Sequence, residues 1–177
     1  MNQVLMNQES IPKSNFFQII KISTIKLNDF VKVIYNNKIE LQSLYQKDNS
    51  SFILINVIEK LGRILRNNTD YEFYTFSNEE FKKILKIGIS KNFAIDNIDF
   101  LRYPFYEDEK EIEKVENIFF SGKINEIINF INIEKIEINK IAFSHDSLQL
   151  TVYRTGLIWF TNNITELRDI LKEILSD

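Results

Sequence analysis

The chain alternates between two hydrophobic patterns, one with the period of a β-strand and one with the period of an α-helix. Strand-like alternation fills residues 16–45 and returns after residue 133. Helical spacing dominates the middle and closes the chain over residues 161–177. The pattern predicts an α+β fold, in which an antiparallel sheet is formed from N-terminal and C-terminal strand meanders and helices pack on one side of it.

The N-terminal strand region has two interpretations. Its β-branched and aromatic residues alternate with polar ones, and Asn36 with Asn37 suits a hairpin turn because Asn tolerates a positive φ. We therefore predict a strand meander here. The alternative is a helix over residues 29–45, capped by Asn28 or Asp29.

Helical spacing in the middle of the chain begins at Ser51. One helical face collects Leu54, Val57, Ile58, Leu61 and Leu65. This spacing predicts a helix from Ser51 through those residues. A short strand is expected at residues 71–76, and Ser77 with Glu80 three residues later forms the capping box that opens the next helix.

Two further apolar stripes predict a pair of helices before the C-terminal strands. They cover residues 112–119 and 124–131, and Gly122 between them is typical of a helix end.

The C-terminal strands differ in how many of their faces are apolar. Ile138 and Ile141 have opposite strand parity, which predicts a bulge or break near residues 139–140. Residues 148–153 alternate as a strand with one buried face. Residues 157–160, LIWF, are apolar on both faces, so something must cover both.

The domain organisation follows from the same patterns. We expect residues 1–13 to be a flexible N-terminal arm and residues 14–177 to form a single α+β domain. Strands followed by a helix recur at each end of the chain, which suggests pseudo-halves at 14–92 and 108–177 without any sequence repeat.

Composition excludes several common chemistries. With Cys 0 and His 1, the chain lacks a thiolate nucleophile and a full set of nitrogen or sulfur ligands for a transition metal. The lack of cysteine agrees with a cytoplasmic location. The net charge of -3, without a basic stripe, does not favour nucleic-acid binding. No segment is apolar for long enough to span a membrane, and no phosphate-binding loop is present, so no cofactor is expected.

The single histidine, His145, precedes Asp146 in the stretch SHDS. Ser and Asp side chains satisfy turn backbone groups, and strand patterns lie on both sides. We therefore predict a hairpin turn there, and no catalytic residue.

Carboxylates are the remaining candidates for metal chemistry, because magnesium needs only one or two of them. The candidates are Asp96 with Asp99, and the acidic run 107–116. An acidic first helical turn followed by a solvated face explains the run more simply, so no metal site is predicted. A magnesium-dependent enzyme acting on nucleotides or nucleic acid is the alternative function, and a nucleic-acid-binding accessory subunit is another.

An aromatic segment at residues 96–109 lacks a clear strand or helix pattern. Its Tyr, Phe and Arg residues are of the types that are enriched at protein interfaces. The candidate partner-binding residues are Phe100, Arg102, Tyr103, Phe105, Tyr106 and, on the last strand, Trp159. The other explanation is that these rings cover the edge of the core. The sequence favours a small cytosolic, non-catalytic protein-binding protein: an inhibitor, an immunity-type protein or a subunit of a larger complex. It would contact a protein partner or a second copy of itself.

Overall fold

The structure is a computed structural model. It describes residues 15–57, 61–66, 71–102, 109–162 and 164–175, without the side chains of residues 102, 109, 111 and 112. The predicted arm, residues 1–13, lies outside the described residues.

The described residues form eight strands and six helices. The strands are β1 (Phe16–Ser23), β2 (Leu41–Lys47), β3 (Ser50–Asn56), β4 (Tyr71–Phe73), β5 (Ala94–Arg102), β6 (Glu137–His145), β7 (Leu148–Tyr153) and β8 (Leu157–Phe160). The helices are α1 (Leu27–Asn36), α2 (Leu61–Arg66), α3 (Asn78–Ser90), α4 (Glu109–Phe120), α5 (Ile124–Glu134) and α6 (Ile164–Leu175).

All the strands belong to one antiparallel sheet. Its order is β2-β3-β1-β8-β7-β6-β5, and β4 pairs with the end of β1 that β8 does not reach. Because β1 pairs directly with β8, strands from the two ends of the chain share the sheet. The predicted α+β fold is confirmed. The division into pseudo-halves stays a prediction.

Helices lie on both faces of the sheet, so the expectation of helices on one side only is wrong. The larger core joins α3, α4, α5 and α6 to one face, through buried residues such as Phe81, Phe119 and Leu171. The smaller core joins α1 and α2 to the other face, where Phe30 and Leu65 are buried. The smaller core lies over β1 and β3 and includes no residue of β5 to β8.

The prediction of a strand meander in the N-terminal region is only partly correct. Residues 27–36 are helical, and the hairpin turn is not at Asn36 and Asn37 but at Asp48 and Asn49, between β2 and β3. Both turn residues have positive φ, 48° and 61°. The alternative prediction, a helix over residues 29–45, overlaps α1 but wrongly continues into β2. The residue that precedes α1 is Lys26, rather than Asn28 or Asp29.

The helix predicted from Ser51 is wrong over its first half. Residues 50–56 form β3, which lies between β1 and β2 and is buried on both faces. A strand that is covered on both sides carries a continuous apolar run, which can imitate a helical stripe. Of the helix predicted from Ser51, the described part that is helical is α2, and Ile58 lies outside the described residues.

Most of the remaining element predictions are confirmed. Ser77 and Glu80 form the capping box at the start of α3, α4 and α5 are separated at Gly122, and the predicted bulge lies at Asn139. There, Asp99 pairs with Lys140 and the next residue of β5 pairs with Ile138. The segment 96–109 is more regular than expected, because β5 runs to Arg102.

None of the helices in the described parts of the chain is long and apolar enough to cross a membrane.

Candidate functional site

The last strand, β8, has two apolar faces with different surroundings. Ile158 and Phe160 are fully buried in the larger core beneath the helices. Leu157 and Trp159 point to the opposite side and are half-buried. We call this opposite side of β5 to β8, including the first residue of β1, the outer face.

Trp159 lies in a row of side chains that crosses the outer face. Register places Phe16 of β1 and Thr151 of β7 on either side of Trp159, and Ala142 of β6 beyond Thr151. Phe16 is 40% exposed, and the other three are half-buried. Neither core cluster includes any of these four residues. In the described chain, the helices therefore add no buried apolar side chain to this row.

The outer face becomes polar toward the edge strand. Lys140 of β6 lies opposite Tyr153 on one side and Asp99 on the other. Further along, the Ser144 hydroxyl donates a hydrogen bond of 2.7 Å to Asp96. The face thus has an aromatic end at β1 and β8 and a charged end at β5.

The turn before β8 fixes Leu157 and Trp159 in position. Gly156 has a φ of +75°, and a Cβ there would stand 2.5 Å from the carbonyl oxygen of Tyr74. The Ile19 amide donates to the Gly156 carbonyl at 3.0 Å. The Gln18 amide group donates to the Thr155 carbonyl at 2.9 Å. These contacts hold the turn against β1, and they explain why a glycine stands at this position.

Arg154, in the same turn, extends to the opposite side of the sheet from Trp159 and joins three elements. Its guanidinium donates to the Ile138 carbonyl at 2.7 Å and to the Asn78 side-chain oxygen at 2.6 Å. It also lies over the Phe81 ring, 5.5 Å from the ring centroid. Asn78 in turn donates to the Ile136 carbonyl at 2.6 Å. Arg154 therefore ties the start of α3 to β6 and the turn, a structural role that sequence reasoning missed.

A second polar contact, at Tyr74, supports the same region. The Tyr74 hydroxyl donates to Glu80, whose other carboxylate oxygen accepts from the Ser77 amide and hydroxyl. Burial raises the pKa of Tyr74 well above its ordinary value, and the hydrogen bond to Glu80 adds to this rise. The phenol is held neutral, so it is a structural donor rather than an acid at neutral pH.

The predicted partner-binding residues do not form one surface. Phe100 packs against Phe119 on the side of the sheet that the larger core covers, with ring centroids 5.4 Å apart. Trp159 lies on the outer face. Arg102 ends β5 opposite Glu137, and its side chain is not described. Tyr103, Phe105 and Tyr106 lie outside the described residues.

The predicted hairpin turn is present, and the histidine is the last strand residue before it. β6 ends at His145 and β7 begins at Leu148, and Asp146 adopts a positive φ of 53°. The His145 ring lies 5.6 Å from the Phe93 ring, and its Nε2 is 3.7 Å from the Asp146 carboxylate. Here Asp146 serves turn geometry, which any hairpin of this length requires.

The candidate carboxylates lie on an exposed strand rather than in a cleft. Asp96 accepts from Ser144, and Asp99 accepts from Asn139 at 3.1 Å. The acidic run continues into α4 from Glu109, as a helix-face interpretation requires. Across the described residues, no three His, Cys, Asp or Glu side chains are grouped closely enough to hold a metal ion.

Comparison of the chain with protein-family models, with curated proteins and with solved structures finds no match.

Proposed function

We propose that the chain is a small, non-catalytic, cytoplasmic protein-binding protein that acts by occupying a partner through its outer face. The observation that carries the proposal is the two-sided apolar character of β8. One side, Ile158 and Phe160, is buried under helices, while the other, Leu157 and Trp159, receives no helix from the described chain.

The chemistry of the outer face supports a protein as the partner. Large aromatic side chains are enriched at the centres of protein interfaces, where they bury much area at little entropic cost. Trp159 and Phe16 supply such a centre beside Leu157. A partner that suits this face presents an apolar or aromatic side chain to Trp159 and charged groups to Lys140 and Asp99.

The surroundings of the other candidate groups support a role without catalysis. His145 ends β6 beside a hairpin turn, and Asp96 and Asp99 hydrogen-bond to neighbouring strand residues. The cysteine-free composition supports a cytoplasmic location.

Affinity purification with matched variants tests the proposal. The bait carries Trp159→Thr or Leu157→Thr, because Thr suits a strand and removes most of the apolar surface. The control is Tyr35→Asp, which changes an aromatic residue on α1 that is 62% exposed. Melting curves first establish that each variant is folded.

The supporting result is a protein retained by wild type and by Tyr35→Asp but lost with either β8 variant. Light scattering identifies the case in which that protein is a second copy of the chain. The proposal fails if the retained proteins are the same for all four baits, or if the folded wild type retains none.

A further inference from the structure

Irregular strand pairing in the described sheet is confined to its two edges. The pairings that join inner strands, such as β1 with β3 and β6 with β7, keep an unbroken register. Register shifts occur where β2 pairs with β3 and where β5 pairs with β6, and β2 and β5 are the first and last strands of the sheet. An edge strand exposes backbone groups that can pair with another chain, and bulges are one means by which proteins prevent this. The irregularities therefore lie where they can block the addition of a further strand.

The edge at β5 is the more interrupted of the two. Asp96 is skipped in the pairing, because its two neighbours pair with consecutive residues of β6, and Leu101 is skipped in the same way. The run between them, residues 97–100, lies opposite a third irregularity at Asn139. Because strands usually have about 5–6 residues, so short a run offers a further strand little length for regular pairing.

Two carboxylates hold these irregularities in place. Asp96 is itself an extra residue of β5, and it accepts the hydrogen bond of 2.7 Å from the Ser144 hydroxyl. Asp99 accepts at 3.1 Å from the side-chain amide of Asn139, which is the extra residue of β6. Each carboxylate thus bonds from β5 to β6 at a point where the register shifts.

The charge of the same carboxylates opposes pairing as well. Asp96 and Asp99 are both exposed, and charged side chains on an edge strand discourage the approach of another strand. A second copy of β5 that paired antiparallel about Asp99 would place two Asp99 carboxylates directly opposite each other. Like charges in that position destabilise a sheet.

We propose that the β5 edge is closed to strand addition, and that Asp96 and Asp99 close it by fixing the bulges beside them. This role accounts for the two carboxylates that were the candidate magnesium ligands. The inference deepens the proposed function, on which one consequence rests: the partner is bound by the side chains of a sheet face and not as an added strand.

Deletion of Asp96 tests the role of the bulge. Ile95 and Asn97 pair with consecutive residues of β6, so they become consecutive strand residues and every side chain keeps its face of the sheet. Combining the deletion with Asp99→Thr removes the second charge and leaves a residue that suits a strand. The matched control is Asp96→Asn/Asp99→Asn, which removes the same two charges but keeps the extra residue.

Two measurements on the purified proteins report on the edge. Sedimentation velocity over a range of concentrations gives the mass, and hydrogen exchange of the β5 amides shows whether that strand has gained a partner. We expect the folded deletion variant to exceed the mass of wild type as concentration rises, with slower exchange at residues 94–100. Wild type and the Asn control should show neither change.

Several outcomes would overturn the inference. A folded deletion variant that sediments like wild type at every concentration would show that the bulge does not block pairing. Association of the Asn control would show that charge alone closes the edge. If the deletion prevents folding, wild type still provides a test, because exchange at its β5 amides that slows with concentration would show an open edge.

The two proposals can fail separately. If a retained partner slows exchange at the β5 amides of wild type, the partner adds as a strand and the inference fails although a partner exists. If no protein is retained by wild type but the deletion variant associates through β5, only the proposed function fails.

Discussion

Gly88 of α3 lies against the ring of Phe143 of β6, so closely that a Cβ at Gly88 would stand 2.7 Å from the ring. Phe143 is 1% exposed and has no room to move aside. We expect Gly88→Ala to destabilise the protein by about 1–2 kcal/mol, because the overpacking exceeds the gain of about 1 kcal/mol in helix propensity. Urea denaturation measures the difference.

A matched control for this substitution is Gly62→Ala in α2. No atom lies within 4 Å of a Cβ built there. The same change should therefore stabilise the protein by up to about 1 kcal/mol. Equal effects at the two glycines would contradict the close contact between α3 and β6.

Gly156 and Gly122 form a second matched pair. Both have positive φ, +75° and +69°, but only at Gly156 would a Cβ collide, at 2.5 Å, with the backbone oxygen of Tyr74. Gly122→Ala should cost about 1 kcal/mol for the left-handed conformation alone, and Gly156→Ala about 3 kcal/mol in total. Chemical denaturation of both variants checks the ordering. Similar costs would mean that the turn is free to move away from β1.

The sequence predicts the elements around the larger core better than it predicts the N-terminal strands. Amphipathic helices such as α3 and α6 and the one-faced strand β7 keep a clear period, because water contacts one side of each. β3 is buried on both sides, so period carries little information there. The better signal was the Asp48-Asn49 pair, whose residue types suit positive φ and a two-residue hairpin loop.

The candidate site was predictable only in part. The two apolar faces of LIWF follow directly from the residues, and they led to Trp159. The position of Phe100 could not be predicted, because three register shifts in the pairing of β5 with β6 change which side chains meet the helices. Arg154 also could not be identified, since its partners at residues 78 and 138 come together only through the order of the strands.

Arg154 should contribute substantially to stability. Its side chain donates to two backbone carbonyls and to Asn78. Removing a charged donor from such partners leaves them unsatisfied, so we expect Arg154→Ala to cost about 2–3 kcal/mol in denaturant unfolding. Arg154→Lys should recover little of it, because an ammonium cannot reproduce the planar fork.

Two controls accompany the Arg154 variants. Lys21→Ala removes an exposed cation paired with Glu72 and should cost about 1 kcal/mol or less. A double-mutant cycle with Asn78→Ala should give a coupling energy clearly different from zero. Additive effects would contradict a stabilising hydrogen bond between Arg154 and Asn78.

The His145 turn should tolerate substitution. His145→Ala removes a half-exposed ring that contacts Phe93, and should cost about 1 kcal/mol or less. The His145 ring lies beside Phe93, on the side of the sheet that the larger core covers and opposite the outer face. Retention of the binding partner should therefore be unchanged. A folded His145→Ala protein that loses its function would restore a chemical role for the histidine.

Tyr74 should make stability depend on alkaline pH. Burial raises its pKa in the folded state, and the hydrogen bond to Glu80 raises it further. Above about pH 10 the unfolded chain releases this proton while the folded chain retains it, so folding stability is complete below pH 10 and falls as pH rises. The slope from one such group is at most about 1.4 kcal/mol per pH unit. We expect Tyr74→Phe to be less stable than wild type at pH 8, because it loses the hydrogen bond to Glu80. The difference in the free energy of unfolding between the two proteins should narrow between about pH 10 and 11.5. Titrating groups that the two proteins share cancel in this difference. A constant gap, measured by urea denaturation across this range, would show that the phenol ionises equally in the folded and unfolded chains.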